Sequence, residues 1–336
     1  FNFNDIIYIV MKKKIRIGVL GCASIAKRLV IPNMIKSNKF NVIAFASRSF
    51  EKAQEFSDLF GGEAIEGYDN LFKRTNIDAI YIPLPTGMHY EWIIKCLHAK
   101  KHVFCEKSIA TNLKEVSDII SIAKQSKLCV FENFMFPFHS QFEFVSRKLK
   151  EGYIGTLQLL RSSFGFPKFD IDNNIRYDKT LGGGALLDAG AYTLMASQYF
   201  LGSNQKVIAA TSRYDLGFEV DFHGSITLKN QNNVISQLAY GFDNFYQNNI
   251  ELWGSKGKIV LERAFTAGPG YCPRVILESQ NLNKSFTLSS DNHFINILEK
   301  FHQSISNGNF SIMYEQILSQ ANLIQSCLDK QFKLNE

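Results

Sequence analysis

The stretch that decides the fold is KIRIGVLGCASIAKR, residues 14–28. Apolar and other side chains alternate from Ile15 to Val19, and the run ends at Gly21, which predicts a short strand followed by a turn. After Ile25 the composition becomes helical. We therefore expect one strand, one tight turn and the first turn of a helix here, and the rest of the chain can be arranged around this unit.

The turn itself suggests a cofactor. A dinucleotide-binding turn needs a glycine for the sharp bend, a small residue where the backbone approaches the pyrophosphate, and another small residue where helix meets strand. Gly21 and Ala26 fit the outer positions, and Ala23 stands at the middle one. The alternative is a turn that needs small residues only for packing. The residues predicted to contact the dinucleotide here are Gly21, Cys22, Ala23, Ser24 and Ile25.

Composition limits the class of protein. The chain has 336 residues, which favours two domains over one, and its 46% hydrophobic and 20% charged residues are ordinary for a soluble globular protein. The net charge of +6 is modest, and apart from Lys12–Lys14 the basic residues are scattered. This argues against a nucleic-acid surface and favours a phosphate-bearing ligand.

The cysteines and the first residues bear on location. The six cysteines include no C-x-x-C pair and no histidines at zinc-ligand spacing, so we expect free thiols in a reducing cytoplasm and no metal site.

In residues 1–10 the apolar run precedes the lysines and no cleavage site follows, which is not the pattern of a signal peptide. Residues 1–10 are interpreted as an extension before a natural start at Met11. No stretch is long enough to span a bilayer, so no membrane partner is expected.

Strands alternate with helices up to Glu132. Strand-like runs at 40–47, 77–83, 102–106 and 128–132 are separated by helical segments. This alternation predicts a doubly wound parallel sheet, a Rossmann domain over residues 11–132, with ligands at the carboxyl ends of the strands.

The pattern changes after residue 132. A long strand over 155–166 and a meander of strand-like segments between 207 and 261 predict an open, mostly antiparallel sheet. We expect an α+β domain over 133–310 for substrate binding and oligomerisation. The fold class is therefore α/β, a Rossmann domain followed by this α+β domain. A C-terminal helix within 311–336 is expected to pack back on the Rossmann domain.

The end of the second strand predicts which nucleotide binds. An acidic residue there favours the free 2′-hydroxyl of NAD, whereas Ser47 and Arg48 stand at this position, and a guanidinium beside a hydroxyl can pair with a 2′-phosphate. The sequence therefore favours NADP(H), with NAD(H) as the alternative. Arg48 could also be a solvated loop residue.

Two further strand ends carry candidate residues. Pro83, Leu84 and Pro85 are expected to form a wall of the cofactor cleft, and His89 is either a cofactor ligand or a cap or packing residue. Glu106 and Lys107 follow the next strand, where a lysine would point toward the nicotinamide and a reacting carbonyl. The alternative for Lys107 is a surface ion pair with Glu106.

A glycine-rich segment in the second domain carries the other candidates. In GGGALLDAGAY, residues 182–192, Asp188 and Tyr192 are four residues apart and share a helix face if the helix has begun. A tyrosine beside a lysine ammonium has a lowered phenol pKa, which suits it to exchange a proton with substrate, and Asp188 could hold that lysine. Tyr192 could equally be a packing residue. Arg176, His139 and Tyr246 are weaker candidates for substrate contacts.

Together these segments resemble the Gfo/Idh/MocA oxidoreductases from Met11 onward. The matching segments are GVLGCASIA, YIPLPTGMHYEW, HVFCEKSIA, ENFMFPFHSQ, GYIG and GGGALLDAGAY. The resemblance implies a Rossmann domain followed by an open sheet that often forms dimers or tetramers. It also implies use of Lys107, Asp188 and Tyr192. Tyrosine at the last position resembles dimeric dihydrodiol dehydrogenases and sugar 3-ketoreductases.

Two positions depart from the family pattern. Thr86 stands where many members carry asparagine, and Ser108 replaces the proline of the E-K-P motif, whose peptide bond is commonly cis. The resemblance leaves open whether the bond before Ser108 is cis.

The resulting functional hypothesis is an NADP(H)-dependent oxidoreductase acting on a sugar, a keto-sugar that could be nucleotide-linked, or a polyol. Tyr192 would exchange the proton, Lys107 would polarise the oxygen and Asp188 would orient Lys107. A homodimer or homotetramer through the C-terminal sheet is expected. Two alternatives remain: an NAD-dependent glycosidase with transient redox chemistry, and an NADP-sensing binding protein without turnover.

Overall fold

A computed structural model describes residues 14–172, 174–280 and 282–335. The proposed extension at residues 1–10 lies outside the described residues. The described chain contains fifteen strands, which are β1 Ile15–Leu20, β2 Phe40–Ser47, β3 Glu63–Glu66, β4 Ala79–Ile82, β5 His102–Cys105, β6 Val130–Glu132, β7 Leu157–Phe166, β8 Gln205–Tyr214, β9 Asp221–Asn230, β10 Ile235–Phe242, β11 Gln247–Gly254, β12 Gly257–Leu261, β13 Arg274–Ser279, β14 Leu282–Thr287 and β15 Gln331–Asn335.

Eight α-helices accompany these strands in the described ranges. They are α1 Ile31–Ser37, α2 Phe50–Phe60, α3 Thr86–His98, α4 Leu113–Ser126, α5 Ser140–Lys150, α6 Ala191–Leu201, α7 His293–Asn307 and α8 Ser311–Lys330. Short 3₁₀ turns occupy Tyr68–Lys73, Phe136–Phe138 and Ile175–Tyr177, and π-helical turns occupy Ala26–Val30 and Leu186–Gly190. None of the helices that the structure describes combines the length and apolar character needed to cross a membrane.

The first sheet has the doubly wound topology predicted from the alternating pattern. Its six strands are all parallel and lie in the order β3-β2-β1-β4-β5-β6. Every residue of Ala79–Ile82 is buried, which explains why this strand is an unbroken apolar run rather than an alternating one. β3 was not predicted, because its four residues, EAIE, show one buried side chain only.

The second sheet is mostly antiparallel, also as predicted. Its nine strands lie in the order β14-β13-β12-β11-β7-β10-β9-β8-β15, and only the β7–β10 and β8–β15 pairs are parallel. In Ile235–Ala239 exposed and buried side chains alternate, so this sheet is covered on one face there. The strands β13, β14 and β15 were not predicted from the sequence.

The chain divides into two compact units. Of the described residues, the first unit contains those in 14–110, 114–133 and 294–315, and the second contains those in 111–113, 134–293 and 316–335. Residues 294–310 thus group with the first unit, whereas the sequence-based boundary placed them in the second domain. The reason is packing within the first unit, because the Phe301 ring contacts Phe40, Phe104 and Phe131 of the parallel sheet.

Candidate cofactor cleft and catalytic residues

The turn after β1 is built for close approach by a ligand. Gly21 has φ +118°, and a Cβ atom there would lie 2.7 Å from Cδ2 of Leu84, so only glycine fits. The helical segment begins directly after the turn, since Ile25 has helical dihedral angles and Lys27 N–H donates to the Ala23 carbonyl at 3.1 Å. The first N–H groups of a helix have no acceptor within it, and they can bind a phosphate.

A cleft of about 380 Å³ lies over this turn in the first unit. Seven of the predicted cofactor residues line it, namely Cys22, Ala23, Ser47, Arg48, Pro83, Leu84 and Pro85. Gly21, Ser24, Ile25, His89, Glu106 and Lys107 are not among its lining residues. Burial raises the pKa of the Cys22 thiol to about 11, so this side chain is a neutral part of the wall at pH 7.

The cleft also contains three residues that the sequence analysis did not select, Ser49, Lys52 and Tyr68. The Ser49 hydroxyl accepts from Lys52 N–H at 3.3 Å and caps α2, which places Lys52 in the first turn of the helix. With Arg48, Lys52 gives the cleft two positive charges, and none of its lining residues is acidic. The sequence signal that could have identified Ser49 and Lys52 is a helix-capping serine followed by a lysine three residues later. No such signal marks Tyr68.

His89 does not line the cleft. It is completely buried, with Nδ1 2.8 Å from the Ser108 carbonyl oxygen and Nε2 2.7 Å from the Leu84 carbonyl oxygen. Burial lowers the pKa of the imidazole. His89 therefore connects Leu84, in the wall formed by residues 83–85, to Ser108. The peptide bond between Lys107 and Ser108 is cis.

Two carboxylates lie near Lys107 at the ends of β5 and β6. Glu106 accepts from the Tyr81 hydroxyl at 2.7 Å and from Asn133 Nδ2 at 2.8 Å, and burial raises its pKa. Glu132 is buried, accepts from the Ile109 N–H at 2.8 Å, and has a pKa raised by burial to about 8, with the Lys107 charge acting in the opposite direction. Glu132 was not among the residues predicted from the sequence, because a glutamate at a strand end gives no sign of its burial.

In the second unit, the glycine-rich segment adopts the conformation that its glycines allow. Gly184 has φ +111°, and a Cβ atom there would lie 2.5 Å from Oδ1 of Asp221. Asp221 is buried and its Oδ2 accepts from the Leu186 N–H at 2.8 Å, so it caps the helical segment that carries Asp188. Burial raises the pKa of Asp221 to about 7. Asp221 lies outside the glycine-rich motif and was missed for that reason.

Asp188 and Tyr192 have different surroundings. Asp188 lies in the π-helical turn, and its Oδ2 accepts from Arg176 Nε at 2.8 Å. Tyr192 lies at the start of α6 and is 8% exposed, with its ring packed in an aromatic cluster. The rings around it are Phe134, Phe136, Phe164 and Phe265.

The weaker substrate candidates separate in the structure. Arg176 joins Asp188, as described. His139 is buried and caps α5 by accepting from the Gln141 N–H at 3.2 Å, and burial lowers its pKa. Tyr246 is 38% exposed, and its hydroxyl lies 2.6 Å from Oγ1 of Thr266. Of these three, Arg176 is the one that contacts a predicted catalytic residue. In the ranges that the structure describes, no cluster of three His, Cys, Asp or Glu side chains could hold a metal ion.

Comparison with known proteins places these features in context. Residues 15–134 match the GFO_IDH_MocA model, an oxidoreductase family with an NAD-binding Rossmann fold, and residues 142–260 match the GFO/IDH/MocA C-terminal domain. The chain is 38% identical to dTDP-3,4-didehydro-2,6-dideoxy-alpha-D-glucose 3-reductase from Saccharopolyspora spinosa over 298 residues, 89% of this chain and 90% of that protein. The 3-reductase of the same name from Actinomadura kijaniata is 36% identical over 313 residues, 93% of this chain and 94% of its own length.

A solved structure agrees with these sequence matches. The crystal structure of a 3-ketoreductase from Actinomadura kijaniata, in complex with NADP and TDP-benzene, superimposes with a TM-score of 0.93 and 35% sequence identity. The match covers 96% of this chain and 100% of that chain.

Proposed function

The chain belongs to the GFO/IDH/MocA oxidoreductase family, and from this premise we propose that it is an NADP(H)-dependent reductase of a keto group on a nucleotide-linked sugar. The observation that carries the proposal is the match, over about nine-tenths of both chains, to reductases that are named for a dTDP-linked keto-sugar. Family membership supports an NAD(P)-dependent oxidoreductase, and the relatives support the sugar class.

The cleft in the first unit fits NADP(H). Arg48 and Lys52 provide two cations and Ser47 a hydroxyl, and no acidic side chain lines the cleft to repel a 2′-phosphate. The helix start after Gly21 supplies N–H groups for the pyrophosphate. The Actinomadura ketoreductase was crystallised with NADP. NADP(H) is therefore the preferred cofactor in this proposal, with NAD(H) as the weaker one.

The roles of three residues follow from the resemblance. When bound, NADPH supplies a hydride to the carbonyl carbon of the substrate. Lys107 polarises the carbonyl oxygen and Tyr192 donates the proton. Asp188 orients Lys107. Support comes from the position of Lys107 just after the carboxyl end of β5, where parallel sheets bind their ligands, and from the fixed carboxylate of Asp188.

The test is NADPH consumption with a dTDP-linked 3-keto-sugar. We expect Lys107→Ala and Tyr192→Phe each to lower kcat about 100-fold or more, because a positioned acid or base contributes factors of about 10² to 10⁴. NADPH should still bind both variants. Tyr199→Phe is the control, since Tyr199 lies on the same helix and its hydroxyl contacts Ser146. Retained cofactor with cleavage of a glycoside would instead favour the glycosidase alternative, and cofactor binding with no turnover of any sugar would favour the sensor.

We further propose that two or four copies associate through the second sheet. On its outward face Arg161 contacts Gln237 at 3.1 Å and Glu251 at 3.5 Å, and its guanidinium lies 5.1 Å from the centre of the half-exposed Trp253 ring. Ile235 is 42% exposed on the same face. An exposed face with aromatic, aliphatic and arginine side chains is typical of an interface. Sedimentation velocity should give a dimer or tetramer, and Trp253→Glu should shift it toward the monomer.

A cytoplasmic location also belongs to this proposal. All six cysteines are free thiols in the structure, and Cys96, Cys105, Cys129 and Cys327 are buried. Free thiols are usual in reducing compartments. Fractionation of cells that produce the protein would test the location.

A further inference from the structure

We propose that the loop after β7 forms the subsite for the pyrimidine base of the nucleotide-linked substrate. The subsite consists of Arg176 together with Phe169, Ile171 and Ile175, and we call these three apolar residues the apolar platform. This inference rests on the proposed function, because it names the part of the protein that would recognise the nucleotide of that substrate.

The platform exposes an unusual amount of apolar surface for a short segment. Phe169 is 45% exposed, Ile171 42% and Ile175 45%. Single exposed apolar side chains are ordinary on protein surfaces, but a contiguous group indicates a binding surface. Here three large apolar side chains fall within seven residues, next to a segment that the resemblance assigns to substrate chemistry.

The backbone around Phe169 is held in place by its own loop. The Tyr177 hydroxyl accepts a hydrogen bond from the Phe169 N–H at 3.2 Å and donates one to the Phe169 carbonyl oxygen at 3.3 Å. The Tyr177 ring in turn stacks on Phe222, with centres 5.4 Å apart. The Asn174 side chain also stabilises this loop. Its Oδ1 accepts from the Arg176 N–H at 3.1 Å, and its Nδ2 donates to the Asp170 carbonyl oxygen at 3.0 Å. The exposed ring is therefore presented by a preorganised loop, which lowers the entropy cost of binding.

Arg176 connects the platform to Asp188. Its guanidinium carbon lies 4.4 Å from the centre of the Phe169 ring, and its Nε donates to Asp188 at 2.8 Å. The Arg176 carbonyl also accepts from Gly184 N–H at 2.9 Å, and a Cβ atom at Gly183 would lie 2.5 Å from it. The glycines thus allow the loop to lie directly against the segment that carries Asp188, so the platform adjoins the sugar end of the proposed substrate.

The chemistry of the platform matches a nucleobase. An exposed aromatic ring with a guanidinium on its face is a stacking surface for flat heterocycles, because every base offers a π-face that can stack on it. A free monosaccharide at Asp188 would leave the platform in water. A substrate with a base beyond its sugar and diphosphate would cover it.

The experiment measures binding of thymidine diphosphate to the full-length protein saturated with NADP⁺, by titration calorimetry. We expect Phe169→Ala to weaken thymidine diphosphate binding roughly tenfold, as expected for the loss of one stacked base, and Phe169→Tyr to restore it. Ile175→Ala, which leaves the Arg176 contact to the ring, should weaken binding as well. The affinity for NADP⁺ should not change in any of them. Phe332→Ala is the control, because Phe332 is 67% exposed on β15.

The outcomes separate this inference from the proposed function. If wild type, Phe169→Ala and Ile175→Ala bind thymidine diphosphate equally while the wild type reduces a dTDP-linked keto-sugar, the subsite is overturned and the proposed function stands. If the wild type has no affinity for thymidine diphosphate and reduces only free sugars, the nucleotide-linked substrate is wrong and the subsite with it. Dissociation of an oligomer by Phe169→Ala with unchanged nucleotide binding would also overturn the subsite and identify the platform as an interface.

Discussion

The Nε atom of Arg176 lies 2.8 Å from Oδ2 of Asp188, so a carboxylate that the family resemblance assigns to the active site is paired with an arginine from another segment. Both side chains are partly buried, at 33% and 24% exposure, which makes the pair stronger than an ordinary surface ion pair. The arginine therefore helps to fix the position of the Asp188 carboxylate.

Replacing this arginine should impair turnover more than folding. We expect Arg176→Ala to lower kcat/KM at least tenfold, since a charge-assisted hydrogen bond contributes about 1.5 to 3 kcal/mol. Arg176→Lys should recover only part of the loss, because lysine lacks the planar fork. Steady-state kinetics would measure both. Lys179→Ala is the control, as Lys179 pairs with Glu219 on the exposed surface of the same loop. Equal losses in Arg176→Ala and Lys179→Ala would contradict the special role of the pair.

Cofactor preference should depend on Arg48 and Lys52. In Arg48→Ala the Kd for NADPH is expected to rise about tenfold or more while the Kd for NADH stays near its original value, because only NADPH carries the 2′-phosphate. Lys52→Ala should have a smaller effect in the same direction. Fluorescence titration of both nucleotides at two salt concentrations is the measurement. Arg74→Ala, at an exposed ion pair with Glu63, should change neither affinity.

Glu132 should make stability depend on pH. Burial raises the folded-state pKa of Glu132 to about 8, above the ordinary value near 4.5. Its contribution is therefore fully present below the unfolded pKa and is lost as the pH rises through about 8, because the unfolded carboxylate ionises first. Glu132→Gln cannot ionise. We expect it to be more stable than wild type at pH 8, by up to a few kcal/mol, and equal to it near pH 4.

The measurement for Glu132 is chemical unfolding of both proteins between pH 4 and 9, an interval set by these two pKa values. The difference between the two free energies of unfolding should grow between about pH 4.5 and pH 8 and level off above the folded-state pKa. Two parallel curves would show that the carboxyl group titrates normally in the folded protein. Because Asp221 also has a raised pKa, its titration affects both proteins equally and cancels in the difference.

Asp221 should matter for both stability and turnover. Asp221→Ala removes the acceptor of the Leu186 N–H and leaves a buried donor without a partner, which costs about 1 to 3 kcal/mol of unfolding free energy. The segment that carries Asp188 would then lose its cap, so kcat should fall as well. Asp221→Asn retains an oxygen acceptor and should be milder. Asp58→Ala, on an exposed helix face, is the control. A stable and fully active Asp221→Ala protein would contradict this assignment.

Local patterns in the sequence predicted most of the fold. The strand Phe40–Ser47 and the turn at Gly21 were predicted because apolar runs and glycine constrain the backbone directly. The edge strands Glu63–Glu66, β14 and β15 were not, because edge strands lie partly in solvent and lack a strong apolar pattern. The strand β13, which lies between β12 and β14, was not predicted either. The family resemblance rather than periodicity supplied the activity.

The candidate site was predicted unevenly for a physical reason. Ser47 and Arg48 stand at a strand end whose role is fixed by topology, so they could be selected from sequence. The environments of His89 and Glu132 depend on burial by distant segments, and no local pattern reports burial. Asp221 could not be predicted for the same reason. It accepts a hydrogen bond from the N–H group of Leu186, which is 35 residues away in the sequence.

The grouping of residues 294–315 with the first unit has a consequence for synthesis on the ribosome. Phe301 completes an aromatic cluster with Phe40, Phe104 and Phe131, yet it is translated after nearly all of the second unit. The nucleotide-binding unit therefore cannot finish its core while it is the only part of the chain outside the exit tunnel. The second unit must emerge, as a long insertion, before the first is complete, so a truncated chain that stops at residue 133 would lack part of its own interior.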